Sequence, residues 1–316
     1  MNAKMRIVVL WTLALGVLMV VGQSAGASMM QGFQMSGTLG YELTGVAVPG
    51  TSAVPVSGVI TLSNIPPGAI VQQVFLYTND FFGPTPGGGF GGGGPLDFSF
   101  AQAPAPAILV ASSFSPTSQD PPLSPSTFGY ELPLAPSSVI GNGSYNVQIS
   151  QSFVGGNANQ LAGAGLLVIY SDPTLPVSTV TVNHGVLFMG ANGQPSNAST
   201  TFAEISSTIP AGTGRLSILT FADDPATSGE TVVFNGTNIG GPLDANLPGG
   251  GSASVLNFNN VTTLGGGNDQ VKVTTNGDIF GWHVAVLQSQ VPEPTSALLF
   301  SLLGTAIVLM RRQRNQ

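Results

Sequence analysis

Between residues 36 and 290 the sequence consists of short apolar segments separated by turn residues, and it contains no dozen-residue stretch with helical periodicity. The segments 71–77, 166–170 and 284–287 are rich in β-branched and aromatic residues, as strands are. Residues 147–149 and 271–273 alternate apolar and polar side chains, as half-buried strands do. With 43 glycines and 24 prolines supplying turns, this pattern predicts an all-β protein of β-sandwich or jelly-roll-like units.

Several short patterns recur in the same order along the chain, which predicts an internal duplication. The matching pairs are 65–68 with 209–212, Tyr77 with Phe221, Asp80 with Asp224, 93–97 with 240–244, 146–150 with 270–274, and the strand ends Ser171 with Ser289. Either each copy folds as its own sandwich, or both supply strands to one larger sandwich. We favour two tandem units, with a first repeat over residues 28–175 and a second over 176–290, joined by a Pro-containing linker near 172–177.

The first copy is longer than the second between its Asp97 and Val147. The extra residues are placed in the stretch from Phe100 to Pro125, which is rich in Pro, Ala and Ser. A glycine-rich segment, residues 87–94, precedes it. Both segments are predicted to be solvent-exposed loops, because such compositions do not pack a core.

Charged residues make up only 7% of the chain, and their positions are informative. Five of the seven Lys and Arg residues lie near the two ends, so the middle of the chain is strongly acidic. Nucleic-acid binding requires a basic surface, and this distribution argues against it. The sequence also contains no cysteine, which excludes disulfides and thiolate metal sites.

The N-terminus has the three parts of a secretory signal peptide. Lys4 and Arg6 form a positive start, residues 7–22 are apolar and uncharged, and Ala25-Gly26-Ala27 offers the small residues that signal peptidase cleaves after. Residues 1–27 are therefore predicted to be a signal helix that is removed, with Ala25 and Ala27 at the cleavage site. The alternative is an uncleaved membrane anchor.

The C-terminus, residues 291–316, carries a stop-transfer pattern. Pro292-Glu293-Pro294 is followed by an apolar run that ends at Met310, and then by the basic residues Arg311, Arg312 and Arg314. Arginines remain on the cytoplasmic side of a membrane-spanning helix. A helix over residues 295–310 would be about 24 Å long, which is short of the ~30 Å hydrocarbon core. The pattern predicts a marginal transmembrane anchor.

This tail resembles the PEP-CTERM sorting signal of Gram-negative bacteria, in the order Pro292-Glu293-Pro294, apolar helix and arginine cluster. The resemblance implies a partner enzyme of the exosortase type, a membrane-embedded cysteine protease or transpeptidase. It also implies export, anchoring in the inner membrane, and delivery to the cell surface or to an extracellular matrix associated with exopolysaccharide and biofilm. The resemblance covers the tail only, and a plain C-terminal anchor is the alternative.

Residues suited to catalysis are few. His184 lies in Asn183-His184-Gly185, which is predicted to be a turn, and His283 lies beside Trp282 at the start of a strand. They occupy different parts of the repeat, so they are not expected to form a repeated site. No Gly-x-Ser-x-Gly elbow supports a hydrolytic triad. We therefore expect no enzyme activity and no cofactor other than calcium.

Calcium is the candidate ligand because Asp-rich turns offer oxygen atoms to hard cations. The candidate ligands are Asp223, Asp224, Glu230 and Asp269. The alternative is that turn Asp and Asn residues hydrogen-bond their own backbone.

Two functions remain open for the middle of the chain. One is an exported structural or adhesive surface protein. The other is a carbohydrate-binding module, calcium-dependent if the turn acids bind the ion, that acts on exopolysaccharide through exposed aromatic side chains. The aromatic candidates are Tyr41, Tyr130, Tyr145 and Trp282.

Overall fold

The computed structural model describes residues 29–52, 55–81, 95–119, 127–151, 161–190, 196–202, 212–221, 229–241, 243, 246–249, 253–264, 268–276 and 280–290. These residues form β-strands and turns, with one 3₁₀ turn at Pro136–Ser138. The all-β prediction is therefore confirmed. Within the described residues, no helix has the length and apolar character needed to cross a membrane. The predicted signal and sorting segments lie outside the described residues and stay predictions.

The described strands fall into two successive groups. The first group is β1 (Met30–Gly37), β2 (Leu39–Ser52), β3 (Val56–Leu62), β4 (Ile70–Phe81), β5 (Leu96–Gln102), β6 (Ile108–Phe114), β7 (Ser118–Gln119), β8 (Thr127–Leu134), β9 (Gly143–Gln151) and β10 (Leu161–Ser171). The second group is β11 (Ser178–Met189), β12 (Asn197–Phe202), β13 (Gly212–Phe221), β14 (Thr231–Phe234), β15 (Thr237–Gly240), β16 (Ala253–Thr263), β17 (Asp269–Thr274) and β18 (Phe280–Gln290).

Four antiparallel sheets make two sandwiches. In the first, the sheet β2-β10-β4-β8-β7 packs on the sheet β3-β9-β5-β6, and Leu76, Phe98 and Leu166 belong to the core between them. In the second, the sheet β1-β11-β18-β13-β16 packs on the sheet β12-β17-β14-β15, with Ile218, Val271 and Trp282 in the core. Alternation along each strand sends every second side chain into these cores.

The two sandwiches share one strand order. The sequence β2-β10-β4-β8 corresponds to β11-β18-β13-β16, and β3-β9-β5-β6 corresponds to β12-β17-β14-β15. Of the sequence matches, Tyr77 and Phe221 lie on corresponding strands, and so do Ser171 and Ser289. The match between 93–97 and 240–244 is not equivalent, because Leu96 begins β5 while Leu243 follows β15, and the counterpart of β5 is β14. Asp244 lies outside the described residues, so its match with Asp97 stays a prediction.

The stretch from Phe100 is also not a simple loop. Phe100 is only 2% exposed at the end of β5, and β6 pairs with β5 as a further strand of the sheet. The prediction of a solvent-exposed loop was wrong about the loop, because the Pro- and Ala-rich residues form only the turn between β5 and β6, but β6 itself is mostly exposed, as predicted. Residues 82–94 and 120–126 lie outside the described residues.

A third apolar cluster lies between the two sandwiches, and we call this interface the seam. The seam residues include Tyr41, Phe75, Tyr77, Leu167, Ile169, Leu219, Phe221, Val284 and Val286. They come from the sheet of β2 and from the sheet of β11. In addition β1, which precedes the predicted boundary near residue 175, pairs with β11, which follows it. The two predicted repeats thus share the sheet that contains β1 and β11, and they share the core of the seam. The boundary near residue 175 stays a prediction.

Candidate functional site

The two histidines lie close together in the seam. His184 is on β11, where Nδ1 lies 2.8 Å from the hydroxyl of Tyr77 and 3.4 Å from Oε2 of Glu131. His283 is on β18, the neighbour of β11 in the sheet, and its ring centroid is 5.0 Å from that of Phe221. Both imidazoles border one small cavity with Tyr77 and Glu131.

Asn183-His184-Gly185 was predicted to be a turn, but it lies inside β11. The strand continues through an irregular register between His184 and Leu187, and Gly185 adopts a φ of 141° there. The Asn-His-Gly sequence therefore marks an irregularity within a strand rather than its end. The proximity of His184 to His283 depends on the pairing of β11 with β18, which no short sequence pattern encodes.

A glycine on the neighbouring strand makes room for His184. Gly32 lies at the bulge of β1, where the pairing with β11 shifts between Gln31 and Phe33. A Cβ atom at Gly32 would be 2.1 Å from Cδ2 of His184, closer than atoms can approach. The absence of a side chain at this position is therefore what allows the imidazole to lie against β1.

Burial governs the charges in this cluster. It lowers the pKa of His184 and of His283 to about 3, and it raises the pKa of Glu131 to about 7. Both imidazoles are thus neutral at neutral pH, and the contact of His184 with Glu131 is not an ion pair. The cavity measures about 10 Å³, about the room that one water molecule needs. In this geometry both imidazoles pack against aromatic side chains of the seam.

The candidate calcium ligands are placed only in part. Asp223 and Asp224 lie outside the described residues, and Glu230 is buried just before β14. Asp269 is fully buried at the start of β17, and its Oδ1 accepts hydrogen bonds from Asn235 Nδ2 (2.6 Å) and from the backbone N–H of Leu264 (2.7 Å). Burial raises the pKa of Asp269.

Of the two hydrogen bonds to Asp269, the one from the nearby backbone N–H of Leu264 is the kind that the turn interpretation expects, whereas the one from Asn235 joins two side chains that are 34 positions apart. Its other oxygen, Oδ2, is buried and has no hydrogen-bond partner among the described residues. Across all the residues that the structure describes, no group of three or more Asp, Glu or His side chains is arranged to hold a metal ion.

The four aromatic residues expected on the surface are buried. Tyr41, Tyr130, Tyr145 and Trp282 are each at most 1% exposed. The prediction was wrong because these rings occupy inward positions of their strands, where burial of a large ring is most favourable. Their polar atoms are also used internally: Tyr145 donates to the carbonyl of Gly141, and Trp282 donates to that of Val284.

A surface cleft that the sequence analysis missed lies at the open edge of the second sandwich, and we call it the Asn cleft. It has a volume of about 620 Å³ and runs between β15 and β16, the edge strands of their two sheets. Its polar and aromatic lining includes Asn235, Thr237, Asn257, Phe258, Asn259 and Asn260. Those of its lining residues that the structure describes are all uncharged. The one signal in the sequence was the run Asn257-Phe258-Asn259-Asn260.

Comparison with known proteins gives no family. No protein-family model matches the chain, and no curated protein matches it. Three solved structures illustrate the likeness that does exist. A peptide-N(4)-(N-acetyl-β-D-glucosaminyl) asparagine amidase is 10% identical with a TM-score of 0.28, over 81% of this chain and 97% of that one.

The other two are viral and plant proteins. PBCV-1 VP54, fitted into a reconstruction of the virophage Sputnik, is 9% identical with a TM-score of 0.23, over 80% of this chain and 95% of that one. The ANX2 ectodomain from Arabidopsis thaliana is 12% identical with a TM-score of 0.23, over 80% of this chain and 86% of that one. Likeness at this level carries no argument about function.

Proposed function

We propose that the chain is an exported surface or extracellular-matrix protein whose β ectodomain is structural and adhesive rather than catalytic. On this proposal, signal peptidase removes residues 1–27 and an exosortase-type enzyme processes the tail at Pro292-Glu293-Pro294. The helix before Arg311 holds the protein in the inner membrane until that step. The support for export and processing is the order of the sequence signals at the two ends.

The observation that carries the structural role is the seam. A structural protein outside the cell must resist unfolding, and this chain has no disulfides to help it. The seam supplies a third core to which both halves contribute buried apolar side chains. Burial of each such side chain stabilises a fold by roughly 1.5–3 kcal/mol, so the two halves are expected to unfold together.

The processing proposal is tested by the intact mass of the protein recovered from the surface or matrix of the cells that produce it. The mass should lack the residues before Ser28 and those after about Pro294. A Glu293→Ala variant should retain its tail and remain in the membrane fraction, whereas the control variant Gln290→Ala should be processed normally. Recovery of an extracellular product that still contains Arg311 to Gln316 would contradict the proposal.

A second candidate is the carbohydrate-binding module, and the Asn cleft is the observation that favours it. Calcium dependence through Asp223, Asp224, Glu230 or Asp269 belongs to this second candidate. Binding to a polymer and a structural role are compatible, since an adhesive matrix protein needs at least one ligand.

A further inference from the structure

We propose that the Asn cleft between β15 and β16 binds a neutral, polyhydroxylated chain, that is, an uncharged oligosaccharide or polysaccharide. This inference rests on the proposed adhesive function and gives it a site and a ligand class.

The edge strand β16 carries a bulge at the cleft. Gly214 of β13 pairs with Val261 and Arg215 pairs with Asn259, so Asn260 is the extra residue on β16. Asn260 has a φ of 59°, a left-handed conformation that asparagine tolerates better than most residues. Bulges re-aim side chains at sheet edges. Here the bulge leaves Asn259 and Asn260 exposed at the rim of the cleft.

The far side of the cleft is held by a tight hairpin. Asn235 and Gly236, with φ values of 48° and 80°, form the two-residue turn between β14 and β15. The Asn235 side chain donates to the carbonyl of Thr262 (3.0 Å) and accepts from the backbone N–H of Gln270 (2.9 Å). These bonds tie the hairpin to β16 and β17.

Two further contacts orient the binding groups. The amide oxygen of Asn257 accepts hydrogen bonds from Arg215 and Ser217, so this side chain is held against β13. The half-buried ring of Phe258 lies against the backbone of Gly240. A Cβ atom added to Gly240 would be only 2.7 Å from Cε1 of Phe258. Phe258 also lines the cleft, so part of this half-buried ring borders it.

The chemistry of these groups matches sugars. Side-chain amides both donate and accept hydrogen bonds, as pairs of hydroxyl groups require, and an aromatic ring offers an apolar surface to the C–H groups of a pyranose. A phosphate or carboxylate polymer needs cationic partners, and among the described residues none that lines the cleft is charged. Arg215, the cation beside it, already donates to the carbonyl of Tyr41 and to Asn257.

The test uses the full-length protein in detergent micelles and isothermal titration calorimetry. The probes are maltohexaose and cellohexaose as neutral chains, and hexagalacturonic acid as an acidic one. We expect saturable binding of at least one neutral hexasaccharide and weaker binding of the acidic one. The Asn260→Gly variant removes an amide at a backbone conformation that glycine accepts, and it should weaken binding about fivefold to tenfold.

A second variant and a control complete the design. Phe258→Ala removes the aromatic surface and should also weaken binding, and Asn197→Ala removes an exposed asparagine of β12 outside the cleft and should leave it unchanged. Circular dichroism melting identifies any variant that has lost its fold, and Asn260→Gly then decides alone. Failure of both neutral probes to bind, equal or tighter binding of the acidic probe, or unchanged binding by Asn260→Gly would each overturn the proposal. None of these outcomes bears on export or tail processing, which the intact mass tests separately.

Discussion

The guanidinium carbon of Arg215 lies 4.6 Å from the centroid of the Tyr41 ring, across the seam between the two sandwiches. Arg215 on β13 also donates from Nη1 to the carbonyl of Tyr41 on β2 (3.1 Å). The hydroxyl of Tyr41 lies 2.8 Å from Oγ of Ser217, so the ring is held at its other end as well. Burial raises the pKa of Tyr41 to about 12, which keeps this phenol neutral.

The first prediction concerns this contact. Arg215→Met keeps most of the side-chain length but removes the cation–π contact and the hydrogen bonds to Tyr41 and Asn257. We expect it to lower the free energy of unfolding by about 1–3 kcal/mol, measured by urea denaturation. The control is Lys272→Met, which removes the same charge from β17 and should change stability by less than about 0.5 kcal/mol. Equal effects of the two substitutions would show that the seam contact has no special role.

The second prediction concerns Gly32. Gly32→Ala places a methyl group where the His184 ring lies, so either the ring or β1 must move, and we expect a loss of about 2–4 kcal/mol in the free energy of unfolding. The matched comparison is Gly32→Ala made in a His184→Ala background, where the space is open and the added methyl should cost little. Similar costs in the two backgrounds would contradict the predicted clash.

The third prediction is a pH dependence set by the two buried histidines. Their pKa values of about 3 lie below the ordinary value of 6.5, so below pH 6.5 the unfolded chain binds protons that the folded chain does not. The stability that each contributes is complete above pH 6.5 and is lost as the pH falls toward 3, by up to about 1.4 kcal/mol per pH unit. His283→Phe should reduce that slope in urea denaturation between pH 6.5 and 4.5. An unchanged slope would mean that His283 is not buried in the neutral form.

Glu131 is expected to act in the opposite direction. Its pKa is raised to about 7 from 4.5, so its contribution is complete below pH 4.5 and is lost as the pH rises through 7. Glu131→Gln, which stays neutral, should therefore gain stability relative to the parent protein as the pH increases from 5 to 8. The difference in unfolding free energy between the two proteins, followed across that range, checks this, and a constant difference would refute it.

The fifth prediction separates the two interpretations of Asp269. If this carboxylate binds calcium, millimolar calcium should raise the melting temperature, magnesium should not, and Asp269→Asn should abolish the rise. If Asp269 only supports the turn through Asn235 and Leu264, the substitution should alter stability equally with and without calcium. Differential scanning calorimetry with calcium, with magnesium and with a chelator gives the answer, and no shift with either ion counts against a calcium site.

Local patterns were sufficient to predict the strands. The segments 71–77, 166–170 and 284–287 lie within β4, β10 and β18. The inward residues of the alternating segments, such as Val147 and Val271, are buried as expected. These features depend on side-chain alternation along one strand, which the sequence displays directly.

Features that depend on pairing between distant strands were not predictable. The closeness of His184 and His283 requires the register of β11 on β18, and the Asn cleft requires a bulge at Asn260 on an edge strand. The burial of Tyr41 and Trp282 follows from the presence of a core on each face of their sheets, which composition does not reveal. The identical pentapeptides 93–97 and 240–244 were misleading for the same reason. Leu96 begins β5, whereas Leu243 follows β15, so the two leucines do not occupy equivalent places in the strand order.

The position of β11 between β1 and β18 has a mechanical consequence. Both neighbours are antiparallel to β11, so β1 and β18 are parallel, with Met30 level with Val284 and Gly37 level with Gln290. A force that pulls the start of β1 away from the end of β18 acts along the strands. It loads the hydrogen bonds of both ladders together in shear, rather than opening them one after another. If the chain is tethered by its tail, as proposed, a pull on its first strand would therefore load both ladders at once.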